Sequence, residues 1–451
     1  MRGRYTSDAL RERSARPGPP GREFTDWMAG NRGGYLRALA DLVAIDTCSP
    51  HEQRAFGWLR DFFADHGATV TTEPRHPDLA AHRDANRNAH STLPDSERSN
   101  LRVSFPPAGA GVRTLFSAHV DVVPPGPEFA SPYRSAVAGG FITGRGTADT
   151  KGNIVMLAAA HRFATRSGRP LTRQAELDLV IEEEIGGNGA LSAVLHGRRA
   201  DEAVVLEPTG LEVFHGHRGC LEFTATFTGR SSHMGGDGLS AIDGALQFVA
   251  LLKELEATLI AQARRDACFA GWRRPVQINV GAIDGGEWHG SVPERCRLRC
   301  SFGFHPEYSV PDIRSMLAEL LTRLPRPWSR GRAVLEYTGI HNGAYLADPD
   351  VAVARDLRAA ARAAGVAATE RRAWNVSCDA RLYQRHLDVP TVVFGAGSLR
   401  YAHSSAERLD IEEWTRGVAA LATFLTSGDA AAPGRAGVAS GLVGWTSGSG
   451  T

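Results

Sequence analysis

Five short segments of this sequence hold histidines and carboxylates in patterns that could bind metal ions. The first, residues 117–121, reads S-A-H-V-D and places His119 and Asp121 two positions apart at the end of an apolar run. On an extended chain both side chains point the same way, so the carboxylate could orient an imidazole that binds a metal. Taken alone, a buried histidine paired with its neighbouring aspartate is the commoner explanation.

Two further segments place carboxylates beside glycines. Residues 144–152 read G-R-G-T-A-D-T-K-G, with Asp149 in a turn before a helix, which on its own also fits an ordinary helix start. Residues 182–187 read E-E-E-I-G-G directly after an apolar strand, where a parallel sheet places its active site. Acidic runs are usually solvated surfaces, but packing Glu182, Glu183 and Glu184 at a strand end is costly unless cations are present.

The last two segments again follow apolar runs. Glu207 comes after the run 203–206, and His403 falls in a loop after the run 391–394. Together the five segments bring two histidines and several carboxylates to the strand ends of one sheet. These nitrogen and oxygen ligands suit a pair of zinc ions without thiolates, and they also accept cobalt or manganese.

The elements that must position these residues alternate along the chain. Short apolar or β-rich runs at 113–118, 176–181, 203–206 and 391–394 predict buried strands. Helical spacing appears at 35–45, 154–165 and 351–364. This alternation predicts an α/β fold, with a mostly parallel sheet flanked by helices.

Residues 213–333 have a different pattern. The run 221–228 alternates apolar and polar residues, which is typical of a strand with one wet face. A helix at 239–257, strands at 276–283 and 296–302, and a helix near 313–324 complete a β-α-β-β-α order. We expect a small α+β sandwich inserted into a catalytic domain formed by 25–212 and 334–426.

The order H-x-D, G-R-G-x-x-D-x-K-G, E-E-x-G-G, E-P-T and a late A-H resembles the dinuclear zinc amidohydrolase and exopeptidase family. That family includes acetylornithine deacetylase, succinyl-diaminopimelate desuccinylase, aminoacylase and glutamate carboxypeptidases. The resemblance implies that His119, Asp149 and Glu207 hold one zinc ion, and that Asp149 bridges to a second held by Glu184 and His403. It also implies that Asp121 orients His119 and that Glu183 is the general base.

The resemblance extends to the inserted domain, which mediates dimerisation in that family. The segment 229–242 nominates His233 as a residue that reaches the partner's active site and stabilises the oxyanion; an exposed loop histidine is the alternative. The strand 221–228 is expected to be an edge strand that can pair with its twin in a homodimer.

The substrate-binding residues of that family are matched less completely in this sequence. Residues 377–381 read S-C-D-A-R, and the resemblance implies that Arg381 binds a substrate carboxylate; a structural salt bridge fits equally well. A second arginine found in many members, about ten residues after the proline of a V-x-P motif, is replaced by Gly303. This puts dicarboxylate substrates in doubt.

Composition and charge argue against binding to nucleic acid or membranes and indicate the cellular compartment. The 451 residues include 42% hydrophobic and 22% charged residues with a net charge of +1, which gives no electrostatic case for binding nucleic acid or an acidic membrane. We find no apolar run long enough to span a membrane and no secretory signal in the Arg- and Pro-rich N-terminus. The six scattered cysteines favour reduced thiols and a cytoplasmic protein. Residues 1–24 and 427–451 are expected to be disordered tails, and 76–100 a surface loop.

These expectations converge on hydrolysis of an amide bond in a small molecule. The preferred interpretation is deacylation of an N-acyl amino acid or related N-acylamine. A metallo-exopeptidase that cleaves dipeptides or a C-terminal residue is the alternative enzyme. A catalytically silent binding protein is a third possibility, although none of the expected ligands has been lost.

Overall fold

The computed structural model describes residues 21–86, 98–106, 111–367 and 372–427. Within these ranges the chain forms nine α-helices and seventeen β-strands. The helices are α1 (Arg22–Val43), α2 (Phe56–Asp65), α3 (Lys151–Arg166), α4 (Asn188–Leu195), α5 (Ala241–Ala263), α6 (Val310–Arg323), α7 (Ala352–Ala363), α8 (Ala380–His386) and α9 (Ile411–Thr426). The strands are β1 (Thr69–Pro74), β2 (Ser99–Ser104), β3 (Val112–His119), β4 (Ala136–Ala138), β5 (Phe141–Thr143), β6 (Arg173–Val180), β7 (Glu202–Val205), β8 (Phe214–His217), β9 (Gly219–Thr228), β10 (Gln277–Gly285), β11 (Arg295–Phe304), β12 (Ala333–Glu336), β13 (His341–Asn342), β14 (Tyr345–Leu346), β15 (Arg372–Trp374), β16 (Thr391–Val393) and β17 (Arg408–Asp410).

A nine-stranded mixed sheet forms the centre of the fold. Its order is β1-β2-β6-β3-β7-β16-β8-β14, with β15 also paired to β8. The four central strands β6, β3, β7 and β16 run parallel, and the strands outside them are mostly antiparallel. Because the central strands are covered on both faces, nearly every residue of β3, β7 and β16 is buried. This confirms the predicted α/β class with its flanking helices.

Helices cover both faces of this sheet. On one face, α1, α2, α3, α7 and α9 form the largest apolar core, in which α3 is buried along most of its length. On the other face, α4 and α8 pack through a smaller core that includes Leu191 and Tyr383. A three-stranded sheet of order β17-β5-β4 lies apart from the main sheet. No helix in the described ranges combines the length and apolarity needed to cross a bilayer.

A second unit has its own sheet and its own core. Strands β10-β11-β9-β12, with β13 also on β9, form an antiparallel sheet, and α5 and α6 pack their apolar sides on one face. Every second residue of β9 is buried, as its alternating sequence predicts. The predicted order of strands and helices is therefore confirmed. Cys296 and Cys300, both on β11, are buried in this core as free thiols.

Two details of this unit correct the expectations from sequence. β8 pairs with β16 in the central sheet, so the second sheet begins at Gly219 rather than at residue 213. β9 lies between β11 and β12, so the run 221–228 is an interior strand whose hydrogen-bonding edges are already occupied. Alternating burial shows which face of a strand is wet, but it does not show whether the strand lies at an edge.

The predicted tail and loop also differ in part from the structure. α1 begins at Arg22, and Phe24 is buried against Phe163, so the ordered chain starts before residue 25. Residues 1–20, 428–451 and 87–97 lie outside the described ranges. The described parts of the predicted surface loop contain buried side chains, including Leu79 and Arg98. Residues 98–100 are therefore part of the protein interior, whereas residues 76–84 are mostly at the surface, with Leu79 buried.

Arg98 anchors the end of β6 through a buried ion-pair network. Its guanidinium donates to both oxygens of Glu52 at 2.7 and 2.9 Å and to Glu182 Oε1 at 2.8 Å, and all three side chains are fully buried. Arg75 donates to the same Glu182 oxygen at 2.8 Å. Glu182 has a φ of +63°, so the network holds the first residue of the acidic run in a strained conformation.

Replacing Arg98 with methionine should destabilise the protein by about 3–5 kcal/mol, because two buried carboxylates would lose their main counter-charge. Urea unfolding followed by circular dichroism measures this change. The control is Arg102→Met, which removes a half-exposed pair with Glu176 and should cost at most about 1 kcal/mol. Equal losses from the two variants would contradict the role given to the buried network.

Candidate metal centre

The parallel strands deliver the five predicted segments to one edge of the central sheet. His119 is the last residue of β3, Glu184 follows β6 and Glu207 follows β7. His403 lies in the loop after β16, and Asp149 lies in the turn before α3. Because these strands run parallel, their carboxyl ends share one edge, where the connecting loops form a crevice. The strand pairing thus explains how residues nearly 300 positions apart meet.

Two groups of three side chains at this edge share one aspartate. His119, Asp149 and Glu207 form the first group, and Asp149, Glu184 and His403 the second. Asp149 Oδ1 lies 2.9 Å from His119 Nε2, and its Oδ2 lies 3.3 Å from His403 Nε2. His119 Nε2 is 3.9 Å from Glu207 Oε2, and His403 Nε2 is 3.0 Å from Glu184 Oε2. The two oxygens of Asp149 therefore face two separate histidines.

The pKa values of the acidic and histidine side chains at this edge are strongly shifted. Burial, reinforced by Asp379 and other carboxylates, raises the pKa of Glu183 and of Glu207 well above their ordinary values. Burial opposes ionisation of Asp149, but hydrogen bonds from His119 and His403 hold its pKa below the usual range. Likewise burial opposes protonation of His119, but Asp149 and Glu207 raise its pKa well above normal. The site collects more negative charge than its own histidines balance.

This donor set fits a pair of divalent cations. Each group supplies one imidazole nitrogen and carboxylate oxygens from two acids, all within 4.8 Å of one another, and none is a thiolate. Oxygen and nitrogen ligands of this kind suit zinc, cobalt or manganese. Within the described ranges, both carboxylate oxygens of Asp379 are buried with no hydrogen-bond partner, which adds to the unbalanced negative charge behind the site.

Asp121 positions the residues of the site through two groups, its backbone carbonyl and its carboxylate. Its backbone carbonyl accepts a hydrogen bond from His119 Nδ1 at 2.9 Å, which leaves Nε2 directed at Asp149. Its carboxylate lies 3.8 Å from that Nδ1 and accepts instead from the backbone N–H groups of Glu183 and Glu184, at 3.2 and 3.0 Å. The expected partner of His119 is therefore present, but its carbonyl makes the closer contact.

Glycines allow the turn after Glu184 to approach its neighbours. Gly187 has a φ of +80°, and a Cβ atom there would lie 2.2 Å from Asp379 Oδ1. Asn86 and Arg381 both donate to the carbonyl of Gly186, at 2.5 and 3.1 Å. A side chain at position 187 would thus push the turn away from the residues that hold it.

Glu407 positions the turn that carries Asp149. Its Oε1 accepts from the backbone N–H groups of Gly146, Ala148 and Asp149 at 2.9, 3.2 and 3.3 Å, and its Oε2 pairs with Arg145. The sequence analysis did not identify this residue. One sequence signal could have found it: Glu407 is a carboxylate only four residues after the candidate ligand His403. The turn that it holds, however, is distant in sequence.

Lys151 ties the G-R-G-T-A-D-T-K-G segment to the end of α1. Its fully buried Nζ donates to the carbonyl of Leu42, in the last turn of α1, and to that of Ile45, just beyond the helix, at 3.1 and 2.8 Å. Carbonyls at a helix end lack the full set of partners inside the helix, and a side-chain donor can bind them there. The residues of this segment thus tie the Asp149 turn to both α1 and the loop after His403.

The site opens into a cleft of about 700 Å³ between the two sheets. The side of the central sheet contributes Glu183, Trp374 and four of the metal-ligand candidates, all but His119, and the second unit contributes side chains from β9, β10 and β11. This volume lies in the range of small-molecule sites. Glu183 therefore lines the same cleft as Asp149, Glu184, Glu207 and His403.

Two predicted site residues lie elsewhere. His233 is exposed on a loop of the second unit, where its Nδ1 accepts from Gly235 N–H, and it does not line this cleft. Arg381 is buried behind the cleft wall and donates to the Gly186 carbonyl and, at 2.6 Å, to Asn342 Oδ1. These contacts give Arg381 a structural role through neutral acceptors rather than through the expected salt bridge, and its binding of substrate stays a prediction.

Several known proteins are similar to this chain in sequence. A probable carboxypeptidase of Aspergillus fumigatus is 30% identical over 295 residues, which are 61% of this chain and 64% of that protein. The chain thus spans less than two thirds of the length of that carboxypeptidase. An acetylornithine deacetylase of Myxococcus xanthus is 30% identical over 336 residues, covering 72% of this chain and 83% of the relative. A deformylase of an aminomethylpyrimidine from Halalkalibacterium halodurans is 26% identical over 69% of this chain and 78% of the relative.

Solved structures share the fold. The di-peptidase Dug1p of Saccharomyces cerevisiae matches with a TM-score of 0.72 at 14% identity, over 90% of this chain and 97% of its own. A tripeptidase of Staphylococcus aureus matches with a TM-score of 0.68 at 17% identity, over 88% and 98% of the two chains. At these identities the likeness concerns architecture alone.

The family comparison covers most of the chain and the whole candidate site. The model described as peptidase family M20/M25/M40 matches residues 115–427, a span that contains every predicted metal ligand from His119 to His403. The match agrees with the central sheet, the second unit and the arrangement of acidic and histidine side chains between them. The chain therefore belongs to the peptidase family M20/M25/M40.

Proposed function

We propose that this protein uses two metal ions to hydrolyse an amide bond in a small molecule. The observation that carries the proposal is the sharing of Asp149 between two histidine-carboxylate groups, with Glu183 lining the same cleft. We assign His119, Asp149 and Glu207 to one ion, and Asp149, Glu184 and His403 to the other. Zinc is the proposed metal, and cobalt or manganese would be accepted by the same ligands.

The chain's own residues have distinct parts in this reaction. Two divalent cations held by these ligands would supply the charge that polarises the amide carbonyl and lowers the pKa of a water molecule. Glu183 accepts the proton of that water and returns it to the leaving nitrogen, as a general base and then a general acid. Asp121 holds the backbone of Glu183 in place.

The activities named for the relatives support the proposed substrate class. We propose deacylation of an N-acyl amino acid or related N-acylamine as the main activity, in line with the deacetylase and deformylase relatives. Removal of a C-terminal residue or cleavage of a dipeptide is the second candidate, favoured by the carboxypeptidase relatives. A catalytically silent binding protein is disfavoured because every expected ligand and the general base are present.

We also propose that the protein acts as a homodimer in which His233 serves the partner's site. His233 is exposed on the second unit and lies outside the cleft of its own chain. β10 is an edge strand of that unit's sheet, and Ile283 on it is largely exposed. An unpaired edge with exposed apolar side chains suits pairing with a second copy.

Replacing Glu183 with glutamine should lower kcat by at least about 100-fold while two metal ions remain bound, because the amide cannot accept the proton. The measurement is amine release from N-formyl-, N-acetyl- and N-succinyl-amino acids and from dipeptides, with metal content by mass spectrometry. Glu222→Gln is the matched control, since Glu222 lines the same cleft but is not a proposed ligand. Full turnover by the Glu183 variant, or no turnover of any amide by the metal-loaded wild type, would contradict the proposal.

Replacing His403 with alanine should reduce the bound metal from about two ions per chain to about one, because the second group would keep only its carboxylates. Equilibrium dialysis against zinc followed by elemental analysis gives the stoichiometry. His196→Ala, an exposed histidine that contacts the Pro74 carbonyl, should leave the stoichiometry unchanged. Retention of two tightly bound ions by the His403 variant would remove His403 from the ligand set.

Mixing two inactive variants should restore activity if His233 acts across a dimer. A His233→Ala subunit keeps its own Glu183, and a Glu183→Gln subunit can lend its His233, so the mixed dimer has one complete site. We expect His233→Ala alone to lower kcat by about 100-fold, as removal of an oxyanion donor does. Subunits unfolded and refolded together should regain up to about a quarter of wild-type activity, because half of the dimers are mixed and each holds one site. Unchanged activity of the single variant, or no recovery on mixing, would refute the trans role.

A further inference from the structure

Arg218 joins the two sheets and lines the candidate active-site cleft. It is the single residue between β8, in the central sheet, and β9, in the second unit. Its backbone N–H donates to the Trp374 carbonyl at 3.1 Å, and its carbonyl accepts from His217 Nδ1 at 2.8 Å. The backbone is therefore held from both sides, so the side chain projects from a fixed point.

The guanidinium of Arg218 has no counter-charge among the described residues. Its Nη1 is buried without a hydrogen-bond partner, and burial lowers the pKa of Arg218 to about 10. Besides burial, the groups that act on this pKa are the Cys220 thiol, which raises it, and the Arg274 guanidinium, which lowers it. Glu222, which lines the same cleft, accepts instead from the backbone N–H of Ile340 at 3.1 Å. A buried cation without an acid is costly, which points to an anion supplied from outside the chain.

Gly303 provides the space that this guanidinium occupies. On β11, Gly303 lies opposite Cys220, and a Cβ atom there would be 2.5 Å from Arg218 Cζ and Nε. This is the position where the sequence resemblance implied a second carboxylate-binding arginine in many members. Here the position has no side chain, and the guanidinium of Arg218, the residue just before β9, occupies the space instead.

We propose that Arg218 binds a free carboxylate of the substrate, at a point in the cleft away from the scissile amide. This inference rests on the proposed amide hydrolysis and names its substrate class as an N-acyl amino acid or peptide with an unblocked carboxylate. A planar guanidinium can donate two parallel hydrogen bonds to a carboxylate, which fixes orientation as well as charge. Binding of this kind supplies the missing counter-charge and aligns the amide with Glu183 and the metal ligands.

The kinetic test compares each cleaved N-acyl amino acid with its carboxamide analogue, in which only the carboxylate is changed. Arg218→Met should lower kcat/KM for the acid by at least about 30-fold, mainly through KM, and change that for the amide by less than about 3-fold. Arg218→Lys keeps the charge without the fork and should recover part of the loss. Arg299→Met removes an exposed arginine of β11 outside the cleft and should leave both substrates unaffected.

A binding experiment separates this inference from the proposed function. N-acetylalanine and N-acetylalaninamide are titrated by calorimetry into metal-loaded Glu183→Gln protein with and without Arg218→Met. We expect the acid to bind at least about 10-fold more tightly than the amide, and the Arg218 substitution to remove that preference. Absence of a preference, or a preference that survives the substitution, would overturn the role of Arg218 even if amides are hydrolysed. A preference that disappears supports it even if the hydrolysis panel is silent.

Discussion

The arrangement of this protein depends on the concentration of buried negative charge around Asp149. Glu183, Glu184, Glu207, Asp121 and Asp379 approach one edge of the central sheet, where two histidines supply the only imidazole nitrogens within the two ligand groups. Such a cluster is unstable in an apolar interior unless positive charge enters it. Asp149 is central because each of its two oxygens faces a different histidine. That sharing is what favours two neighbouring ions over one.

The surrounding structure holds the carboxylates against their repulsion. Glu407 accepts from three backbone N–H groups of the Asp149 turn, those of Gly146, Ala148 and Asp149, and Asp121 accepts from two at the turn that carries Glu183. Arg98 neutralises Glu182, so the acidic run is divided into one structural residue and two residues that face the cleft. These contacts fix the donors before any ion binds, which reduces the ordering cost of binding.

The strand ends were predictable from the sequence because they are local patterns, and the proposed ligand set came from the family resemblance that the motifs at those strand ends carry. An apolar run followed by a carboxylate or histidine identifies a buried strand and the residue at its end, as at His119 and Glu207. Contacts between distant segments were not predictable in the same way. Glu407 is close in sequence to His403, but no local pattern indicates that it holds residues 146–149. Nothing in the run 221–228 shows that β12 covers one side of β9. The guanidinium of Arg218 over Gly303 likewise depends on the register between two strands.

The most direct test of the account is X-ray diffraction from zinc-soaked crystals, measured just above and below the zinc absorption edge. The account predicts two anomalous peaks about 3.5–4 Å apart, with one oxygen of Asp149 directed at each peak. One peak should lie beside His119 and Glu207, and the other beside His403 and Glu184. A single peak at this edge, or two peaks that do not share Asp149, would contradict it.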